Sequence, residues 1–83
     1  MAGSTPNKEE LFRMAKDALD QGQKQPARMM FQQIVQQDRR NVRAMLYLAK
    51  IASDPSERAM WLERVLEVQP NNATAKKALS KIE

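Results

Sequence analysis

The sequence predicts an all-α fold: five helices stacked as antiparallel hairpins, an α-solenoid. Three observations predict it. Apolar residues recur at helical spacing along the chain, and few β-branched or aromatic residues fall outside that pattern. One apolar set returns after about 34 residues: Leu11, Met14, Ala15 and Ala18 recur as Met45, Leu48, Ala49 and Ala52. Phe31, Ile34 and Val35 likewise recur as Leu62, Val65 and Leu66, and a partial third copy of the first set reads Lys76, Leu79 and Ser80. Units of this length cannot bury their apolar faces alone and do so by stacking.

The first helix is expected from about Asn7 to Asp20. Asn7 and Glu10 have capping-box spacing behind Pro6, and Leu11, Met14, Ala15 and Ala18 form the apolar stripe. Gly22 suits the left-handed conformation that ends a helix. The second helix is expected to begin near Pro26, a residue favoured at a first helical position, and to bury Ala27, Met30, Phe31, Ile34 and Val35. Asn41 is the expected N-cap of the third helix, whose stripe is Met45, Leu48, Ala49 and Ala52. In Asp54-Pro55-Ser56-Glu57, Asp54 can cap, Pro55 fits the first turn and Glu57 has the spacing to complete a capping box. The fourth helix then carries Ala59, Leu62, Val65 and Leu66, with Trp61 beside them. Gln69-Pro70-Asn71-Asn72 separates it from a fifth helix, about Ala73 to Ile82, with Ala75, Ala78, Leu79 and Ile82 on one stripe. The short connections make neighbouring helices antiparallel.

With 83 residues the chain is at most one domain. We divide it into a flexible N-terminal segment (1–6), a first repeat (about 7–41), a second repeat (about 42–72) and a capping helix (about 73–83). It contains no Cys and no His, which removes disulfides, thiolate and imidazole metal ligands, and imidazole bases. No glycine-rich phosphate loop is present, and the carboxylate pairs Glu9/Glu10, Asp17/Asp20 and Glu63/Glu67 are ordinary helix-surface pairs. No nucleophile, base and orienting group can be assembled, so neither an enzyme nor a cofactor or metal site is expected. No apolar run approaches the roughly 18 residues of a membrane span. The lack of cysteine fits a reducing, cytoplasmic setting, for a whole protein or for a domain of a larger one. The net charge of +4 is spread over basic and acidic stretches rather than gathered in one block, which argues against nucleic acid as the partner.

The pattern resembles the tetratricopeptide repeat. The first repeat reads Leu11, Met14, Ala15, Ala18, Gly22, Ala27, Phe31, Ile34; the second reads Met45, Leu48, Ala49, Ala52, Leu62, Val65, Pro70. The closing stretch PNNATAKKALSKIE looks like the polar helix that ends such arrays. The resemblance covers residues 7–83. The chain departs from the family pattern at three places. Arg39 stands where the first repeat would close on Pro, and Arg58 stands where the second would have a small Ala. The second repeat is also three residues shorter, a deficit expected in the turn inside the hairpin, where LDQGQKQ is replaced by SD. Two repeats and a cap fall below the usual minimum of about three, so self-association into a homo-oligomer is one expectation.

The resemblance implies a groove lined by the first helix of each repeat and by the capping helix. Carried over by position, it draws Phe12, Arg13 and Lys16 from the first helix, Arg43, Leu46, Tyr47 and Lys50 from the third, and Lys77 and Lys81 from the fifth. Glu9, Leu19, Asp20, Ser53, Thr74 and Ala78 fall on the same faces. Lys16, Lys50 and Lys81 occupy one repeat position three times. Two readings of this row are open. Charged residues on helices commonly form a solvated face. Alternatively, the lysines attract a protein or peptide partner with acidic side chains or a free C-terminal carboxylate, while Phe12 and Tyr47 anchor it. The family's carboxylate-clamp members add Asn at groove positions, and this chain has none there. A rival reading sets Lys24, Arg28, Arg39, Arg40 and Arg43, together with Lys76, Lys77 and Lys81, against nucleic acid or another anionic surface. Trp61 is expected to pack between the second hairpin and the last helix, or else to lie half-exposed as an anchor. Met29 and Met60 are the methionines expected to be exposed.

Overall fold

The structure is a computed structural model and describes residues 7–82; the flexible segment expected at 1–6 lies outside them. The described residues are all helical apart from their connections. The helices are α1 (Lys8–Asp20), α2 (Lys24–Gln37), α3 (Val42–Lys50), α4 (Pro55–Val68) and α5 (Ala73–Ile82). Each packs against the next in sequence, and the chain extends over 47 × 26 × 17 Å. None of the helices is long and apolar enough to cross a membrane.

The helix ends follow from local chemistry. The Asn7 side chain accepts from the Glu10 amide at 2.8 Å while the Glu10 carboxylate accepts from the Asn7 amide, a closed capping box. At the other end of α1, Gln23 N–H bonds the Ala18 carbonyl at 2.8 Å and Gly22 N–H bonds that of Leu19 at 2.9 Å. This is a Schellman closure, and it requires the left-handed backbone that Gly22 adopts at φ +78°. Asn41, Asp54 and Asn72 accept from the amides three residues on, at 3.0, 2.8 and 2.9 Å, and so cap α3, α4 and α5.

Several local expectations need correction. Helix α2 begins at Lys24, two residues before Pro26. The first-turn amides have no partner inside the helix, so a proline in that turn forfeits no helical bond. Glu57 does not complete a capping box: its carboxylate accepts from Arg28 at 2.6 Å. The missing residues of the second repeat come mainly out of α3 rather than the turn. Helix α3 has 9 residues against 13 in α1, and Ala52 is buried in the connection, beyond the helix. Proline at 55 holds Asp54 extended, at φ −142° and ψ 165°, so residues 51–54 must make the reversal. The Arg58 Nε–H donates to the Ala49 carbonyl at 3.2 Å, satisfying the shortened end of α3.

The pairing sense can be read from cross-chain contacts. Lys8 at the start of α1 bonds Asp38 at the end of α2, at 2.9 Å, so the first hairpin is antiparallel. Phe12 lies against Arg43, near the starts of α1 and α3, while Lys16, Leu19 and Asp20 share a hollow with Tyr47, Lys50 and Ile51, near their ends. On the other side of the molecule Arg28 meets Glu57, and further along Gln32, Val35 and Gln36 share a hollow with Trp61. Thus α3 runs alongside α1, and α4 alongside α2, each pair in the same direction. The core between them holds Leu11, Ala15, Ala27, Phe31, Ile34, Ala44, Met45, Leu48, Leu62, Val65 and Ala75, and no polar residue among those described is buried. The interhelical alanines bring the helix axes close, since a methyl occupies little of the gap.

Two expectations about faces also change. Met14, on the predicted stripe, is 44% exposed, whereas Leu48 at the equivalent position is 0% exposed. Leu48 lies inside the stack, between the two hairpins, whereas among the described residues no hairpin precedes Met14. Trp61 is buried against residues of α2, with the Arg64 guanidinium 4.9 Å from its ring centroid. Its indole N–H has no acceptor among the described residues, so apolar packing holds the ring. Met29 and Met60 are exposed.

Candidate interaction face

Side chains of α1, α3 and α5 share one face. At its centre are three aromatic rings. Phe31, fully buried on α2, stacks on Tyr47 with centroids 4.9 Å apart and planes 8° from parallel. Phe12 meets both edge-on, at 5.7 Å from Phe31 and 5.4 Å from Tyr47. Both arrangements are favoured by the ring quadrupoles. Cations surround the outer rings: the Arg43 guanidinium lies 4.3 Å from the Phe12 centroid, Lys16 Nζ 5.9 Å from it, and Lys50 Nζ 6.0 Å from that of Tyr47. Phe12 and Tyr47 therefore support the core with one side and leave part of the ring outside.

Three hollows cross this face. The first, about 300 Å³, lies among Glu9, Phe12, Arg13, Lys16, Asp17, Asp20 and Arg43. The second, about 450 Å³, is bounded by Lys16, Leu19, Asp20, Lys24, Tyr47, Lys50 and Ile51. The third, about 360 Å³, is lined by Leu46, Tyr47, Ala49, Lys50, Arg58, Leu62, Thr74 and Ala78. Lys16 borders the first two, and Tyr47 and Lys50 border the last two. The charge balance changes across the row. Three acids face three bases in the first hollow, one acid faces three bases in the second, and two bases with no acid border the third. The first hollow is thus balanced in charge, the other two are net positive, and only the third has no acidic residue on its border.

Of the residues expected to form a groove, Phe12, Arg13, Lys16, Arg43, Leu46, Tyr47 and Lys50 come together along this row. Lys77 and Lys81 do not: both are exposed and border none of these hollows. The sequence reading missed Arg58 and Leu62 as lining residues. Arg58 carried a signal, because a long cation at a position the repeat pattern gives to a small residue needs somewhere to go. Arg28, counted among free cations for an anionic surface, is bound to Glu57 and donates to Ser53 Oγ at 3.0 Å.

The third hollow has a structural origin. Repeat spacing maps Phe12 onto Leu46, Phe31 onto Leu62 and Tyr47 onto Ala78. The site filled by three rings in the first hairpin is thus lined by two leucines and an alanine in the second. Their smaller side chains leave the space open.

No cluster of three or more acidic, histidine or cysteine side chains suited to a metal ion occurs among the described residues. No family model matches the chain, and a search of curated proteins finds no matching relative.

Proposed function

We propose that this chain is a tetratricopeptide-like α-solenoid that works as a protein-interaction module, binding an extended acidic peptide along the α1–α3–α5 face. One observation carries this reading. The hollows form a continuous row across three helices, with Lys16 and Lys50 at the boundaries between them. A row of cations spaced along a surface that is mixed in the first two hollows and apolar in the third complements a peptide that carries carboxylates and an anchoring side chain. The face is made of helices packed on a shared core, so little ordering entropy is lost on binding.

The test is fluorescence anisotropy with a labelled glutamate-rich peptide and, in parallel, single-stranded and duplex oligonucleotides at two salt concentrations. Replacing both cations (Lys16→Glu with Lys50→Glu) is expected to weaken peptide binding at least tenfold while the helical circular dichroism is retained. Unchanged peptide affinity contradicts the proposal. Oligonucleotide binding that survives the double replacement favours the anionic-surface reading instead.

A second reading is supported by Met14. Its exposure at the position where Leu48 is covered leaves the α1 end of the stack open, as expected if another hairpin or a second copy packs there. Sedimentation across a wide concentration range tests it: Met14→Glu should abolish any association, and a monomer at all concentrations contradicts self-assembly.

A further inference from the structure

We propose that the hollow among α3, α4 and α5 receives an aromatic side chain of the partner, and that the carboxylates flanking this side chain pair with Lys50 and Arg58. The proposal rests on the peptide-binding reading above and adds the identity of the anchor. Three observations carry it.

The first is the internal equivalence of the two hairpins. In the first, the ring of Tyr47 enters the corresponding space and stacks on Phe31, so this geometry of helices accommodates an aromatic ring there. In the second, Ala78 takes the place of Tyr47 and presents a methyl group, and Leu46 and Leu62 replace the other two rings. The positions recur by repeat spacing while the rings do not. A partner's ring can supply it.

The second observation is the chemistry of the walls. Leu46, Leu62, Ala78 and one side of Tyr47 are apolar, and the hollow is open to solvent on the outer side. An apolar walled site of about 360 Å³ is large enough for a phenol or indole and gives its inner face apolar contact, while the outer side stays open to water. The half-buried Tyr47 ring offers a second ring an edge or face, the same arrangement it already makes with Phe12.

The third is charge. This hollow alone of the three has cationic borders and no acidic residue. Arg58 is anchored through its Nε to the Ala49 carbonyl and so is held at the rim. An incoming carboxylate next to the ring meets attraction and no like charge. A basic or neutral anchor sequence would forgo that attraction, which is why the occupant is an acidic segment with an embedded aromatic residue.

Two probes test this, one of which does not depend on peptide binding. p-Cresol, the side chain of tyrosine as a free molecule, is titrated into the protein and followed by methyl and amide NMR. Shifts confined to Leu46, Leu62, Ala78 and their neighbours are expected. They should vanish in Ala78→Tyr and in Leu46→Phe, either of which fills the space; circular dichroism identifies any variant that fails to fold, and the other then decides. No shift at these residues, or shifts that persist in a folded filled variant, overturn the proposal. The second probe is an amidated peptide with one tyrosine between pairs of glutamates, compared with its alanine counterpart. The tyrosine peptide should bind at least tenfold more tightly. Equal, measurable binding of the two peptides overturns the aromatic anchor and leaves the acidic groove standing. Binding of neither peptide, with the p-cresol shifts present, counts against the groove and retains the aromatic pocket.

Discussion

The two hairpins are both pairs of helices packed side by side, and they differ in the side chains that lie between them. In the first, Phe12, Phe31 and Tyr47 close the space between helices with stacked and edge-on rings. In the second, Leu46, Leu62 and Ala78 leave a hollow of about 360 Å³. The turns differ as well. The first hairpin reverses through Gly22 in the left-handed region, and the second does so with no residue of positive φ, by shortening α3 and using the Asp54-Pro55 cap. A repeat pattern thus specifies where helices lie, while the side-chain volumes at three positions decide whether the gap is core or cleft.

The contrast can be broken most severely at Phe31. This ring is completely buried and touches both of the others, so Phe31→Ala should cost about 3–5 kcal/mol. That is comparable with the whole stability of a domain of this size, and thermal or urea unfolding should show the chain largely unfolded. Leu62→Ala at the equivalent position should cost less, about 2–3 kcal/mol, because part of its surroundings is already open. Equal losses at the two positions would mean that the hairpins are filled alike.

A smaller effect separates the turns. An added Cβ at Gly22 meets nothing within 4 Å, so the cost of Gly22→Ala is one of backbone conformation alone, about 1 kcal/mol. The same measurement at Ser53, in the other turn, where no residue has positive φ, should show little change for Ser53→Ala beyond loss of its bond to Arg28.

The smallest effect concerns the ion pair that ties α1 to the end of α2. Its hydrogen bond from Lys8 holds the Asp38 carboxyl below the usual carboxylate range, and the same bond raises the Lys8 ammonium above its ordinary value. A depressed carboxyl stabilises the fold above its unfolded-state pKa, and the gain is lost as pH falls through the folded value. The raised ammonium acts in the opposite sense: its gain is present below the unfolded-state pKa and is lost as pH rises through the folded one. Stability should therefore fall slightly at both extremes. Asp38→Asn should remove this contribution to the acid limb, as followed by thermal melting at a series of pH values, and the second hairpin, with no such pair among its described residues, should show no counterpart.

How far the sequence sufficed depends on whether a feature is local. The capping box at Asn7, the caps at Asn41 and Asp54 and the closure at Gly22 involve residues within five positions of one another, and their spacing identifies them. The stripes of α1 to α5 are legible for the same reason. Met14 was misjudged because periodicity says which residues share a face and not whether a neighbour covers it. Glu57 was misjudged because its partner, Arg28, lies 29 positions away and competes with a local amide. The short α3 follows from a competition between helix extension and the extended residue before Pro55, which a count of deleted residues does not locate. On the α1–α3–α5 face, the row from Phe12 to Lys50 is readable from the repeat spacing, whereas Lys77 and Lys81 share its register on α5 but border none of the three hollows. The open hollow required the volumes of three residues far apart in sequence to be compared at one place.

The central claim is that this hollow is the unfilled counterpart of the first hairpin's ring cluster. Thermal unfolding of Ala78→Tyr against the unmodified chain tests it most directly. If the ring enters the space as Tyr47 does in the first hairpin, the gain of a filled cavity should raise Tm by about 4 °C or more. A lowered Tm would mean that the frame does not recur and that the second hairpin has no place for the ring.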